Sequence, residues 1–338
     1  MKILSILGTT STGKTDLALS LAKKFNGELV ACDSRQVYVG LDIGTGKAPS
    51  GECKVQSVKL KVKKGKGYWE VNGIKVWMYD VVDPRKQYTV YDYVKDAKGV
   101  IEDIQKRGKL PIVVGGTGLY LKALIEGLPN LAIPIDKNLR KKLQKLSKEE
   151  LQEKLRQISL DKWDSLNESD RQNPRRLIRA IEIVILSETR DITPSIYSSL
   201  IAQNDILKIG LIASRDILYD RIDERVIDRI NQGMIDEAED LHKSGLSFKR
   251  MRQLGLEYGV LADYLSGEIR EIEGNQGLVQ VLQSRIHGYA RRQITWFKKE
   301  KDIFWFDIAG RDFPSDVEKM ITKWYYQFVD VAKDRYFS

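Results

Sequence analysis

The apolar pattern of the N-terminal half alternates between short runs and longer amphipathic stretches. Residues 3–7, ILSIL, are too short for a helix and too apolar for a half-exposed strand, so they predict a buried strand. The next stretch, Asp16 to Phe25, places Leu17, Leu21 and Phe25 at helical spacing. GELVACDS (27–34) predicts a second strand ending at Asp33. A third follows at KLPIVVGG (109–116), after the amphipathic VYDYVKDAKGVIEDIQKRG. Strands alternating with helices predict an α/β fold with a parallel sheet and helices on both faces. Ligands of such sheets gather at the carboxyl ends of the strands. Thr10, Asp33 and Thr117 lie at or just beyond those ends and are expected in one cleft.

From about 128 to 205 the pattern turns helical throughout. DKNLRKKLQKLSKEELQEKLRQI is a charged amphipathic run, and QNPRRLIRAIEIVILSE starts with Asn173 as N-cap and Pro174 in the first helical position. ILKIGLIA (206–213) returns as a strand, so the helical block reads as an insertion. The expected organisation is a core in two parts, 1–127 and 206–310, an all-helical insertion at 128–205, and a C-terminal helical tail at 311–338. IFWFDI adds a late strand. Within the first part, residues 54–78 alternate and contain VNGI, a hairpin signal with an Asn-Gly turn. Lys59, Lys61, Lys63, Lys64 and Lys66 make this hairpin basic, as an RNA contact or as a lysine-protected sheet edge.

Composition narrows the classes. The 338 residues carry a formal charge of +9, which fits a polyanionic partner or an evenly basic surface. Cys32 and Cys53 are too few for a disulfide framework or a cysteine-rich zinc module, and fit a reducing cytoplasm. His242 and His287 lack ligand-spaced neighbours, which argues against a histidine triad or zinc site. No apolar stretch reaches the roughly 18 residues of a membrane span. A cytoplasmic protein is expected, and nothing suggests an obligate dimer, so a monomer is expected too.

The chemistry begins at GTTSTGKT, which reads G-x-x-x-x-G-K-[ST] between a strand and a helix, the context of a P-loop NTPase-like fold. Gly8 and Gly13 let the backbone curl so that the amides of Thr9, Thr10, Ser11, Thr12 and their neighbours point inward at phosphate oxygens. Lys14 supplies a point charge, and the Thr15 hydroxyl is placed to bind Mg2+. The loop recognises linked phosphates and leaves their identity open. Asp33 at a neighbouring strand end suits a general base, and Ser34, Arg35 and Gln36 offer donors and acceptors for a nucleobase edge. A nucleoside or nucleotide kinase using ATP fits these residues, as does a non-catalytic RNA-binding ATPase. Arg221, Arg225 and Arg229 share one helical face, and Arg175, Arg176 and Arg179 cluster at a helix start; alone, each group also reads as a solvated basic stripe. Trp296 and Phe297 are expected in the core, with Arg291, Arg292, Lys298 and Lys299 at the surface.

GTTSTGKT, DSRQVYVGLDIGTGK, VVGGTGLYLKALIEGL, PRRLIRAIEI, RIDERV and YARRQITWFKK occur in the order found in the tRNA dimethylallyltransferases, which the chain resembles from about residue 3 to residue 300. The resemblance implies transfer of a dimethylallyl group from dimethylallyl diphosphate to N6 of adenosine 37, beside the tRNA anticodon, with release of diphosphate. It implies that Asp33 is the base and that Thr10 and Arg225 contact the reacting diphosphate. It further implies contacts to the anticodon stem-loop from Thr117, Arg140, Arg175, Arg176, Arg179 and the segment 250–255 with Arg252. Asp33 and Gln36 would read the extruded base, and tRNA is expected to enter between core and insertion. The chain departs from the family pattern where VWMYDVVDP and the basic hairpin replace a Pro-His-His-type segment, and where GLEY (255–258) replaces a Gly-Tyr motif.

Overall fold

A computed structural model of the chain describes residues 1–47, 61–128, 130, 131, 133–188, 200 and 204–327. The chain opens with β1 (Lys2–Gly8), α1 (Lys14–Lys24) and β2 (Gly27–Ala31), then β3 (Val62–Gly65), β4 (Tyr68–Val71) and β5 (Ile74–Trp77). Next come α2 (Val90–Lys106), β6 (Leu110–Gly115) and α3 (Gly118–Ile125). A helical stretch follows: α4 (Lys137–Leu143), α5 (Lys148–Ile158), α6 (Leu160–Asp164), α7 (Glu168–Arg171) and α8 (Pro174–Glu188). The chain continues with β7 (Asp205–Ile212), α9 (Arg215–Asn231), α10 (Met234–Lys243), α11 (Phe248–Leu254) and α12 (Leu256–Leu265). It finishes with α13 (Leu278–Phe297), β8 (Phe304–Asp307) and α14 (Ser315–Tyr326).

The described strands form one sheet ordered β3-β4-β5-β2-β6-β1-β7-β8. From β5 to β8 every pairing is parallel. The centre is apolar on both faces because helices cover both: β2 is buried throughout, and β1 from Ile3 to Gly8. Leu17, Leu21 and Phe25 turn inward from α1, as their spacing requires. Thr89 starts α2 with a capping box to Asp92. Phe297 is buried at the end of α13, and Trp296 packs against Gly118, in keeping with the core expected for this pair.

The expected two-stranded hairpin is a three-stranded antiparallel meander, and it belongs to the main sheet through β5 beside β2. VNGI does turn the chain: Asn72 and Gly73 have φ of 50° and 85°, the signs a two-residue hairpin needs. The additional strand, VKKG, lies within the range read as a hairpin, and a second turn at Lys66 and Gly67 sets it apart. Residues 54–60, with Lys59, and Cys53 lie outside the described residues. The second strand ends at Ala31 rather than Asp33, although the Cys32 amide still donates to Val114 O at 2.7 Å.

Residues Met1–Ile125 and Gln203–Ser338 form one compact unit, and Glu126–Ala202 another. In the second, Leu143, Leu151, Leu155, Trp163, Leu177 and Ile181 make the core. The Arg156 and Arg171 guanidiniums lie 4.2 and 4.6 Å from the Trp163 ring. Asn173 caps α8, accepting from the Arg175 amide at 3.0 Å. In the first unit, α14 buries Val317 and Ile321, and Tyr325 meets Phe25 edge-on.

Glu28 joins three parts of the core unit. Its carboxylate, 2% exposed as a residue, accepts from both Arg107 terminal nitrogens at 2.6 and 2.7 Å, from Lys109 at 2.8 Å and from Trp77 Nε1 at 2.8 Å. Burial alone would raise its pKa, but the hydrogen bonds from Arg107, Lys109 and Trp77 bring it down to about 2. A depressed carboxylate stabilises the fold above its unfolded pKa and loses that contribution as pH falls from about 4.5 toward 2. Glu28→Gln should therefore cost roughly 2–3 kcal/mol at pH 7. Urea unfolding across this pH range should show the gap to the parent protein closing on the acid side.

Candidate active site

The phosphate loop spans the end of β1 and the start of α1. Gly8 has φ 145°, and a Cβ there would lie 2.4 Å from Leu211 O on the neighbouring strand. Glycine is thus required by contact as well as by backbone angle. Ser11 and Gly13, at φ 62° and 75°, turn the following amides inward, while Thr12 Oγ1 closes on Thr9 O at 2.9 Å. No side chain caps the first amides of α1, which leaves them for a ligand's oxygens.

Cations surround this loop. Lys14 is half-buried, donating to Thr9 O and reaching Thr12 Oγ1 at 3.5 Å. Burial, and then the Arg225 charge, bring its pKa down to about 7, with Asp33 opposing them. Arg225 Nη1 lies 3.5 Å from the Thr10 hydroxyl. Arg221, Arg225 and Arg229, spaced four apart on α9, all line the cleft. Arg229 is buried, donating to Gly44 O at 2.9 Å and pairing with Glu257 at 3.4 Å. The two guanidiniums press against Gly46, where a Cβ would fall 2.3 Å from Arg225 and 2.2 Å from Arg229.

Asp33 and Gln36 enter the same cleft from the loop after β2. Asp33 Oδ1 accepts the Arg35 amide at 2.8 Å, and its Oδ2 meets the Thr117 hydroxyl at 3.4 Å. Gln36 Nε2 is held by the carbonyls of Thr45 and Gly46, both at 3.3 Å, which leaves Oε1 as an acceptor. Arg35 lies along the wall, with Nε on Leu254 O at 3.1 Å and its guanidinium over the Tyr289 ring. Burial, then the Asp33 charge, push the Tyr289 phenol up to about 12, so it stays a neutral donor. Ser34 is not among the lining residues; its amide donates to Thr117 Oγ1 at 3.2 Å.

The cleft therefore brings together Thr10, Ser11, Gly13, Lys14, Thr15, Asp33, Arg35, Gln36 and Arg225. Thr9 and Thr12 are buried beneath the loop as its internal supports. Arg252 instead lines a neighbouring pocket and is tied to Asp263 at 2.6 Å and Ser266 at 3.0 Å. The other expected tRNA contacts belong to the helical unit. Arg140 grips the fully buried Glu182 with two hydrogen bonds of 3.0 and 2.7 Å, and Arg179 bonds the same carboxylate and the Ile133 carbonyl. Arg176 pairs with Asp170. The Arg175 side chain is exposed and has no ion-pair partner among the described residues. Sequence reasoning missed Arg221, Arg229, Tyr289 and Gln293 as cleft residues; the four-residue arginine spacing was the one available signal.

Among the described residues, no group of three or more His, Cys, Asp or Glu could hold a metal on its own. The donors in the cleft are hydroxyls and carboxylates, with Thr15 and Asp16 adjacent at its wall, which suits a hard cation completed by ligand phosphates. No helix among the described residues is long and apolar enough to cross a membrane.

An amide nest, a cationic wall and a carboxylate at the ends of parallel strands define a P-loop-type site for a phosphorylated substrate with an acceptor group beside it. A family profile described as IPP transferase matches residues 36–300, and one described as isopentenyl transferase matches residues 1–60. tRNA dimethylallyltransferase 2 of Treponema denticola is 39% identical over 294 residues, spanning 87% of this chain and 90% of that protein. The full-length tRNA isopentenylpyrophosphate transferase of Bacillus halodurans is 30% identical, with a TM-score of 0.65 and 99% of both chains covered. A eukaryotic dimethylallyltransferase acting on tRNA is 25% identical, with a TM-score of 0.74 over 97% of this chain and 80% of its own. The chain belongs to the IPP transferase family, the tRNA dimethylallyltransferases.

Lys14 gives the site a pH signature. With its free pKa near 7, binding a diphosphate monoester above that pH must draw in a proton to restore the ammonium. Affinity should weaken by up to about tenfold per pH unit above 7 until the bound-state pKa is reached. Calorimetric titration between about pH 7.5 and 9.5 should show this slope in the parent protein and lose it in Lys14→Arg, whose charge does not titrate there.

Proposed function

We infer that the protein transfers a dimethylallyl group from dimethylallyl diphosphate to N6 of adenosine 37 in tRNA and releases diphosphate. The observation that carries the reading is the single cleft in which Asp33 faces the phosphate loop and Arg225. In the reaction the N6 lone pair forms a bond to C1 of the allyl group as the C1–O bond breaks. The electron pair leaves with the diphosphate, and the N6 proton passes to Asp33. The exocyclic amine is a weak nucleophile because its lone pair is delocalised into the ring, so positioning and proton acceptance have to carry the step.

The chain's residues divide this work. The amides after Gly13, together with Lys14 and Arg225, stabilise the charge that grows on the departing diphosphate. Thr15 is the residue that would hold Mg2+, and the ion would supply further charge neutralisation. The Thr117 and Arg35 contacts hold Asp33 in place, with Gln36 Oε1 as a second acceptor for the adenine edge. In the helical unit, Arg175 is suited to a tRNA phosphate, whereas Arg140 and Arg179 shape the unit around Glu182.

Prenylation, tRNA binding and thermal melting test this reading. Incubation with unmodified tRNA, labelled dimethylallyl diphosphate and magnesium, followed by nucleoside analysis, should place label on adenosine. Asp33→Asn should lower kcat by about 10²–10⁴-fold. Phosphate transfer from ATP to a small acceptor, with no prenylated nucleoside, would identify a kinase instead. Arg175→Ala should weaken tRNA binding with an unchanged melting temperature and lower the salt slope by about one contact. Arg179→Ala should lower the melting temperature, because it strips a partner from a buried carboxylate.

A further inference from the structure

The glutamine of YARRQITWF lies across the back of the cleft. Gln293 is 6% exposed and projects from α13 between two loops of the sheet. Its Oε1 accepts the Thr10 amide at 2.9 Å, and its Nε2 donates to the Gly116 carbonyl at 2.9 Å. The acceptor end of the amide thus meets a donor and the donor end an acceptor, so a flipped side chain would oppose like with like. The space is closed on the far side as well: a Cβ at Gly116 would lie 2.4 Å from Nε2 and 3.1 Å from Gly8 O.

This bond decides what Thr10 offers to a ligand. The other amides of a phosphate loop can turn toward oxygens, but the Thr10 N–H is already committed to α13. What remains is its hydroxyl, 3.5 Å from Arg225 Nη1. We propose that Gln293 is a positioning residue that withdraws the Thr10 amide from the nest and presents the Thr10 hydroxyl, beside Arg225, to the departing diphosphate. The proposal rests on the prenyl-transfer reading. It adds that α13 sets the geometry of a loop far from it in sequence. Because the hydroxyl is aimed at charge that develops during bond breaking, its loss should fall on the chemical step and on the diphosphate, and leave tRNA binding alone.

Gln293→Met removes both hydrogen bonds at similar volume. It should lower kcat/KM for the prenyl donor by about 10²-fold, the scale of a small misplacement at a reacting centre, with KM for tRNA within about twofold of the parent. Binding of inorganic diphosphate, measured by calorimetry without tRNA, should weaken several-fold. Gln293→Glu supplies a readout that a merely structural role would not move. The ionised acid cannot donate to the Gly116 carbonyl, whereas the protonated acid again offers one acceptor and one donor. Activity relative to the parent at the same pH should therefore rise as pH falls from about 8.5 to 6, since burial raises the introduced carboxyl's pKa. A flat ratio for Gln293→Glu, unchanged donor kinetics in Gln293→Met, or a tRNA defect equal to the donor defect would each overturn the proposal. Prenylation by the parent with unaltered variants would refute the role of Gln293 alone. Altered diphosphate binding in the variants, with no prenylation by the parent, would refute the transfer reading and keep the positioning role.

Discussion

Positive charge concentrated on one cleft is the constraint on which this site depends. Lys14, Arg221, Arg225 and Arg229 converge on one space with Asp33 and Glu257 among its acidic residues. Burial, and then the Arg225 charge, bring the Lys14 pKa down to about 7. Like charges crowded in this way oppose one another, and an anion between them would relieve the repulsion. In the proposed transfer, the charge that develops on the leaving group would face this wall.

Holding repelling groups in register requires a rigid frame, and the frame is polar. Glu237 collects the amides of Asp42, Ile43 and Gly44 at 2.9, 2.7 and 3.1 Å, with Tyr258 donating to the same carboxylate. Arg229 takes Gly44 O, and Gln36 takes the carbonyls of Thr45 and Gly46. The fully buried Lys47 bonds Tyr38 O at 2.7 Å and Asp42 at 2.8 Å. The meander leans on this loop, with Lys64 paired to Asp42 and Trp69 to Asp80. A loop fixed from so many directions keeps Gly46 against the arginines without a side chain of its own, so the cationic wall is preorganised before a ligand enters.

The phosphate loop was legible because its chemistry is local: eight consecutive residues specify turn, charge and helix start. Asp33 and Thr117 followed from the rule that parallel strands offer their carboxyl ends, and the structure links them at 3.4 Å. What escaped was set by tertiary partners. Gln293 meets Thr10 across 283 positions, and a lone glutamine among arginines and aromatics carries no sequence signal. Arg179 reads in sequence as part of a solvated basic stripe and Arg140 was named only through the resemblance, but both close on Glu182, whose burial no local pattern discloses. The lysine-bearing strand VKKG lies inside the hairpin read from sequence, and what escaped was the second turn at Lys66 and Gly67 that divides its first arm into two strands.

The central claim is that the amide nest receives a prenyl donor's diphosphate with Asp33 poised at its reactive carbon. A crystal structure with an unreactive dimethylallyl thiodiphosphate and magnesium tests it most directly. The account predicts both phosphates within hydrogen-bonding distance of the Lys14 and Thr15 amides, with the allylic carbon directed toward Asp33. An empty nest, or a diphosphate bound elsewhere with its allyl group turned away from Asp33, would contradict it.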